Sequence, residues 1–181
     1  MLKNKLNLKR FLSALTVSSC LLGSIATISF AQGNPGLTIF SGVGRENILN
    51  YYLDFGGRAK ARDRYRLRIP GKKLIGGASK FFIAYPDYFD GKFDVDKIEV
   101  RIKDGKEKKS LPLREVIWDK ESYIIEIDLE EPLKESRKVE LVFSNVKNPA
   151  IGTYYFHCQV LPADDLPIRQ HLGTWIVSID P

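Results

Sequence analysis

The chain has 181 residues, with 28 Lys and Arg against 22 Asp and Glu, for a net charge of +6. Four of those cations, Lys3, Lys5, Lys9 and Arg10, stand in the first ten residues. Without them, 24 basic side chains face 22 acids, a net charge of +2, which excludes the strongly basic domain that a nucleic-acid partner calls for.

Those cations open a secretory signal. Phe11 to Phe30, FLSALTVSSCLLGSIATISF, is largely apolar and uncharged. Ser29-Phe30-Ala31 then offers small residues at the two positions a signal peptidase inspects, so cleavage is expected between Ala31 and Gln32. The expected location is periplasmic or extracellular. Two lesser readings use the same residues. Residues 11–30 are long enough to span a bilayer as an uncleaved anchor. Val17-Ser18-Ser19-Cys20 loosely matches a lipoprotein site, although LLGSIATISF follows where a polar tether belongs. Membrane contact is expected through this segment alone, and only if it stays uncleaved.

Residues 32–181 then form a single domain. Cys158 is its one cysteine, so no internal disulfide is available and a hydrophobic core must stabilise it. At about 150 residues a chain buries roughly 70 % of its surface, which suffices.

In chain order, short runs of β-branched and aromatic residues recur between turn residues. They are LTIF (37–40), ILNYYLDF (48–55), RYRLRI (64–69), KFFIAY (80–85), KIEVRIK (97–103), LREVIW (113–118), YIIEIDL (123–129), RKVELVF (137–143), TYYFHCQV (153–160) and TWIVSI (174–179). Ile98, Val100 and Ile102 oppose Glu99, Arg101 and Lys103, and Val139, Leu141 and Phe143 oppose Lys138, Glu140 and Val142. Such alternation marks strands with one buried face. Asp104-Gly105 is a two-residue hairpin signal, while Gly56-Gly57, Pro70-Gly71, Gly76-Gly77 and Asp90-Gly91 punctuate other boundaries. Only residues 87–97 leave room for a short helical turn. With no βαβ rhythm, the pattern predicts an all-β, antiparallel sandwich of roughly eight to ten short strands.

Candidate chemistry is sparse. NPAIGTYYFHCQV resembles the His-Cys strand of cupredoxin-like domains through Asn148, Pro149, His157 and Cys158. A blue-copper site wants two imidazoles, a thiolate and a weak axial ligand. Here Gln159 replaces the second flanking histidine, no histidine lies upstream of His157, and the sole methionine is Met1. Strand alternation also points His157 and Cys158 to opposite faces. Cys158 therefore reads first as a buried small hydrophobe, His157 as a surface or half-buried residue, and His171 as part of the loop before the last strand. A metal carrier or redox protein using Cys158 with His157 or His171 stands as an alternative. Gly152 and Tyr154 also resemble the Gly-x-Tyr-x-Cys strand of immunoglobulin domains, with the cysteine two residues late, which supports an immunoglobulin-like sandwich and no activity.

In RAKARDRYRLRIPGKK, Arg62, Arg64, Arg66 and Arg68 recur every second residue, so a strand presents all four on one face. This could be a ladder for an anionic envelope component, such as acidic polysaccharide or lipid head groups, or for an acidic protein. The plainer expectation is a solvated face paired across strands with Glu126, Asp128 or Glu99. Asp87, Asp90, Asp94 and Asp96, and likewise Asp164 and Asp165, are expected to hydrogen-bond the backbone of their own turns, since the EF-hand spacing is absent. No Gly-x-Ser-x-Gly elbow, phosphate loop or dinucleotide fingerprint is present, and no cofactor is implied. A carbohydrate-binding sandwich is a further alternative, although Trp118 and Trp175 sit inside strand patterns where packing explains them.

GLTIFSGV, YYLDFGG, DRYRLRIPGKKL, YPDYFDGKFD, VKNPAIGTYYFHCQV and LGTWIVSID, from Gly36 to Asp180, resemble the mainly cyanobacterial exported family Domain of Unknown Function 2808. The resemblance implies a small secreted domain with no assigned activity, cofactor or catalytic residue. The expectation is therefore an exported cell-envelope protein, a non-enzymatic binding or structural module with Arg62–Arg68 as its best-motivated surface.

Overall fold

The computed structural model describes residues 42–104, 107–163 and 168–181. The expected leader, Cys20, the Ala31–Gln32 cleavage point, the LTIF run and Asp164–Asp165 lie outside the described residues. Among the described residues there are ten strands: β1 (Tyr51–Leu53), β2 (Arg62–Ile69), β3 (Ala78–Ala84), β4 (Ile98–Asp104), β5 (Glu107–Leu111), β6 (Leu113–Asp119), β7 (Ile124–Leu133), β8 (Val139–Lys147), β9 (Gly152–Leu161) and β10 (Gln170–Ile179). They form two five-stranded sheets, ordered β1-β2-β8-β4-β5 and β10-β9-β3-β7-β6. Every strand pairing is antiparallel. This is the all-β, antiparallel sandwich that the alternation and turn spacing predicted.

Period-two patterning explains which side each residue takes. On β2, Tyr65, Leu67 and Ile69 are buried while Arg64, Arg66 and Arg68 are half-exposed. On β9, Tyr154, Phe156, Cys158 and Val160 point inward, and Tyr155, His157 and Gln159 outward. The inner faces meet in one core built around Trp175, Tyr65, Phe81, Phe143 and Phe156.

The structure departs from the sequence expectation at several elements. The 48–55 run shrinks to a three-residue strand, because Asp54 and Phe55 turn away toward Gly56 and Gly57, both at positive φ. Strand β5, EKKSL, had no β-branched or aromatic signal at all, and its pairing with β4 supplies the order. His171 lies within β10, opposite Gln159, rather than in a loop. A 3-10 turn does occur at Val95–Lys97, and two more at Arg45–Asn47 and Gly71–Lys73.

The two ends of the sandwich differ. At one end Phe89 and Phe93, from the segment after β3, stack on each other and meet Tyr85, Tyr154, Trp118, Phe143 and Phe156 edge-on. That aromatic plug closes the core. Trp118 is half-buried and donates its Nε1–H to Tyr85 Oη at 2.7 Å, whereas Trp175 is fully buried. At the other end the connections β2–β3, β7–β8 and β9–β10 come together. Gly77 there has φ +70°, and a Cβ on it would stand 2.0 Å from the Leu133 carbonyl oxygen, so no other residue fits without moving the backbone.

Candidate functional site

The outer face of the first sheet carries a dense cluster of charge. Arg62, Arg64, Arg66 and Arg68 share that face as expected, but their partners are not those expected. Glu126 and Asp128 belong to the other sheet and pair with Lys80, while Glu99 pairs with Arg101 at 2.9 Å. The arginines meet instead Asp54, just past β1, and Glu140 on β8. Arg66 Nε donates to Asp54 Oδ1 at 2.6 Å and its Nη2 to Oδ2 at 2.8 Å, a bidentate fork. Arg64 reaches the same carboxylate at 3.5 Å and donates to Ser144 Oγ at 3.1 Å. Arg62 donates to Asn145 Oδ1 at 2.7 Å. The hydrogen bond from Arg66 is the main reason the Asp54 carboxyl lies below its ordinary pKa. The same contact raises the Arg66 guanidinium.

Glu140 organises the other half of the face. In register it stands between Arg68 on β2 and Arg101 on β4. Its carboxylate accepts from Lys108 Nζ at 2.7 Å and Arg68 Nε at 3.3 Å, with Arg66 Nη1 at 3.7 Å. Burial pushes the Glu140 carboxyl upward, but the hydrogen bond from Lys108 and the arginine charges outweigh it, and the net shift is downward. Val142, an outer-face residue next along β8, is fully buried here. It pairs with Arg66 on one side and Glu99 on the other, where the aliphatic stems of such side chains cover apolar surface.

Beside Glu140 the face dips into a groove of about 410 Å³, lined by Arg68, Arg101, Ile102, Lys103, Lys108, Lys138 and Glu140. Five cations thus surround one carboxylate. Lys103 and Lys108 stand directly opposite each other across the β4–β5 hairpin, an arrangement of like charges that costs stability. Lys108 is drawn aside to Glu140, and Lys103 and Lys138 extend the positive edge into solvent. Guanidinium and ammonium groups so placed can hold phosphate, sulfate or carboxylate oxygens by charge-assisted hydrogen bonds.

The sequence singled out Arg68 of this set but missed Arg101, Lys103, Lys108, Lys138 and Glu140 as a group. Two signals were available. Alternation in KIEVRIK sets Arg101 and Lys103 on the polar side, and the Asp104-Gly105 hairpin signal in the sequence points to a returning strand that carries the following lysines back beside them. The unrecognised strand β5 hid the second.

The cysteine and histidines do not converge. Cys158 is 0 % exposed on the inner face, where burial pushes its thiol pKa well up. His157 and His171 lie exposed on the outer face of the second sheet, ring centroids 6.3 Å apart. His157 Nδ1 sits 2.9 Å from Thr174 Oγ1. The Cys158–His157 or Cys158–His171 copper pairing is therefore corrected: the sheet lies between the thiol and both rings. Among the described residues, no group of three or more His, Cys, Asp or Glu side chains is placed to hold a metal ion.

The acidic PDYFDGKFDVD segment also differs from expectation. Asp90 pairs with Lys60 and accepts from the Ala150 N–H at 2.9 Å, and Asp94 accepts from Asn145 Nδ2 at 2.6 Å. These aspartates pin the aromatic plug to other segments rather than bonding only their own turn.

A family model described as Protein of unknown function (DUF2808) matches residues 37–179. No curated protein matches. Among solved structures the chain is similar to BslA, described as a bacterial hydrophobin, at 13 % identity and TM-score 0.49, covering 77 % of this chain and 96 % of that one. It is also similar to an uncharacterised Nocardia farcinica protein with an immunoglobulin-like fold, at 7 % identity and TM-score 0.46, covering 74 % and 99 %. A third is the collagen-binding domain of a Staphylococcus aureus adhesin, at 8 % identity and TM-score 0.43, covering 74 % and 97 %. Likenesses at these scores say nothing about what the chain binds.

Proposed function

The chain belongs to the family of unknown function DUF2808, and we propose that it is an exported, non-enzymatic module that binds an anionic component of the cell envelope. The observation that carries this reading is the groove of five cations around Glu140. Glu140 is nearly buried and preorganises Arg68 and Lys108, so an incoming anion meets donors that are already oriented. The directly opposed Lys103 and Lys108 gain a counter-charge when an anion binds. That is a reason for a sequence to keep a locally unfavourable pair.

Two further features support the reading. The basic, apolar and small-x-small order of residues 1–31 suits export. The one cysteine past that leader, Cys158, is buried, which suits a compartment where exposed thiols oxidise. The groove holds charge-bearing groups whose one carboxylate is already neutralised by cations, which suits holding an anion rather than moving a proton. Among the described residues, no helix is long and apolar enough to cross a membrane.

Cell fractionation tests the proposal. The protein should start at Gln32 and sit in the envelope fraction, released by a high-salt wash. A Lys103→Glu, Lys108→Glu, Lys138→Glu variant should be found free in the soluble exported fraction without the wash. A cytoplasmic protein retaining residues 1–31, or a variant as firmly retained as wild type, would overturn the reading.

A further inference from the structure

We infer that the anionic partner is a lipid surface, and that the protein docks on it by the end of the sandwich bearing Ile75. This rests on the anion-binding reading above and narrows its partner. It also goes beyond the sequence expectation, which allowed lipid head groups only as one partner of the arginine face and otherwise gave membrane contact to the leader.

Two adjacent residues carry the argument. Leu74 is 1 % exposed and Ile75 84 %, the highest exposure of any large hydrophobic side chain among the described residues. A single exposed isoleucine is ordinary, but this one is held in place. The 3-10 turn before it is closed by Lys73 N–H to Pro70 O at 3.0 Å and Leu74 N–H to Gly71 O at 2.8 Å. Ser136 Oγ–H donates to Gly71 O at 2.6 Å. After it, Gly77 N–H returns to Leu74 O at 3.0 Å, and Ala163 N–H donates to Gly76 O at 2.9 Å. Buried Leu74 anchors the loop while Gly77, wedged against Leu133, fixes its exit. Ile75 is thus a peg on a braced loop.

Its surroundings are cationic. Lys72 and Lys73 precede it in the same turn, and Lys134 and Lys138 come from the adjoining β7–β8 connection. The acids nearest to these in the chain are Glu131, on β7, Glu135, which is paired with Arg137 at 2.6 Å, and Glu140, which is held by Arg68 and Lys108 in the groove. This end is continuous with the groove, since Arg68 and Lys138 line both the groove and a second depression with Pro70 and Gly71. Ile168, 65 % exposed, stands just before β10 at the same end. An apolar peg ringed by lysines complements an anionic bilayer, where the ammonium groups reach phosphates and the alkyl group enters the acyl boundary. A soluble polyanion offers nothing to the peg.

Substituting Ile75→Trp provides a local reporter. Its emission should shift to the blue on adding phosphatidylglycerol vesicles, and stay unmoved with phosphatidylcholine vesicles or dextran sulfate. Ile75→Ser should weaken binding to phosphatidylglycerol vesicles about tenfold while leaving dextran sulfate binding unchanged. The side chain is exposed, so both variants should fold as wild type does. Unshifted emission from the Ile75→Trp variant with phosphatidylglycerol, or Ile75→Ser binding those vesicles as wild type does, would overturn the docking inference. If dextran sulfate still binds in that case, the anion-binding function survives. If neither probe binds, both fail.

Discussion

Asp63 is the residue on which the turn between β1 and β2 depends. Its carboxylate is buried and accepts from Phe55 N–H at 2.9 Å, Gly57 N–H at 2.8 Å and Arg64 N–H at 2.6 Å. Three backbone donors would lose their acceptor on truncation, and each orphaned buried group costs stability. Asp63→Ala should therefore lose about 2–4 kcal/mol in urea unfolding; a loss within error of zero would show that water serves those donors equally well. Cys158 gives a second test at this scale. Its thiol should not react with a soluble thiol reagent until the protein unfolds, and Cys158→Ala should cost about 1–2 kcal/mol by loss of packing. Rapid labelling in the folded state would contradict its place in the core. Neither the thiol's side of the sheet nor that of His157 needed the structure, because alternation along TYYFHCQV already fixes them, whereas His171, on β10, joins that face only through its pairing with Gln159.

At the level of elements, the outer face of β2, β8 and β4 is stabilised through three depressed carboxyls, Asp54, Glu99 and Glu140. A carboxyl whose folded pKa lies below its unfolded value contributes stability above that unfolded value, near 4, and loses it as pH falls through the folded one. Unfolding free energy should thus fall as pH drops below about 4.5, and Glu140→Gln should flatten the fall. A variant with the wild-type slope would show that Glu140 contributes nothing to it. How the face is paired was only half legible. The four arginines share one side because of their spacing, which the sequence displays. Asp54 comes from the neighbouring β1–β2 turn, but Glu140, Ser144 and Asn145 reach the arginines only because β8 inserts between β2 and β4, a long-range choice that no local pattern records. Strand β5 was invisible because EKKSL is charged and unbranched, and cross-strand bonds to β4 override its weak propensity. Leu74 and Ile75 look alike in sequence, and only the bracing of Gly71–Gly77 separates a core residue from an exposed peg.

Among the described residues, positive charge gathers on one sheet face and one end, although residues 32–181 together are nearly neutral, with 24 Lys and Arg against 22 Asp and Glu. The opposite end is closed by stacked and edge-on aromatics, and the second sheet is tied by the Lys80–Glu126 and Lys80–Asp128 pairs. The asymmetry, rather than the net charge, is what a partner would sense, and such a field is screened within about 8–10 Å at physiological salt. The most direct test is the affinity of purified protein for dextran sulfate as ionic strength rises, set beside the Lys103→Glu, Lys108→Glu, Lys138→Glu variant. Binding at low salt that weakens steeply with added salt, and that is at least about tenfold weaker in the variant at equal thermal stability, is the predicted result. No binding at low salt, or equal binding by a stably folded variant, would contradict the cationic groove as the functional surface.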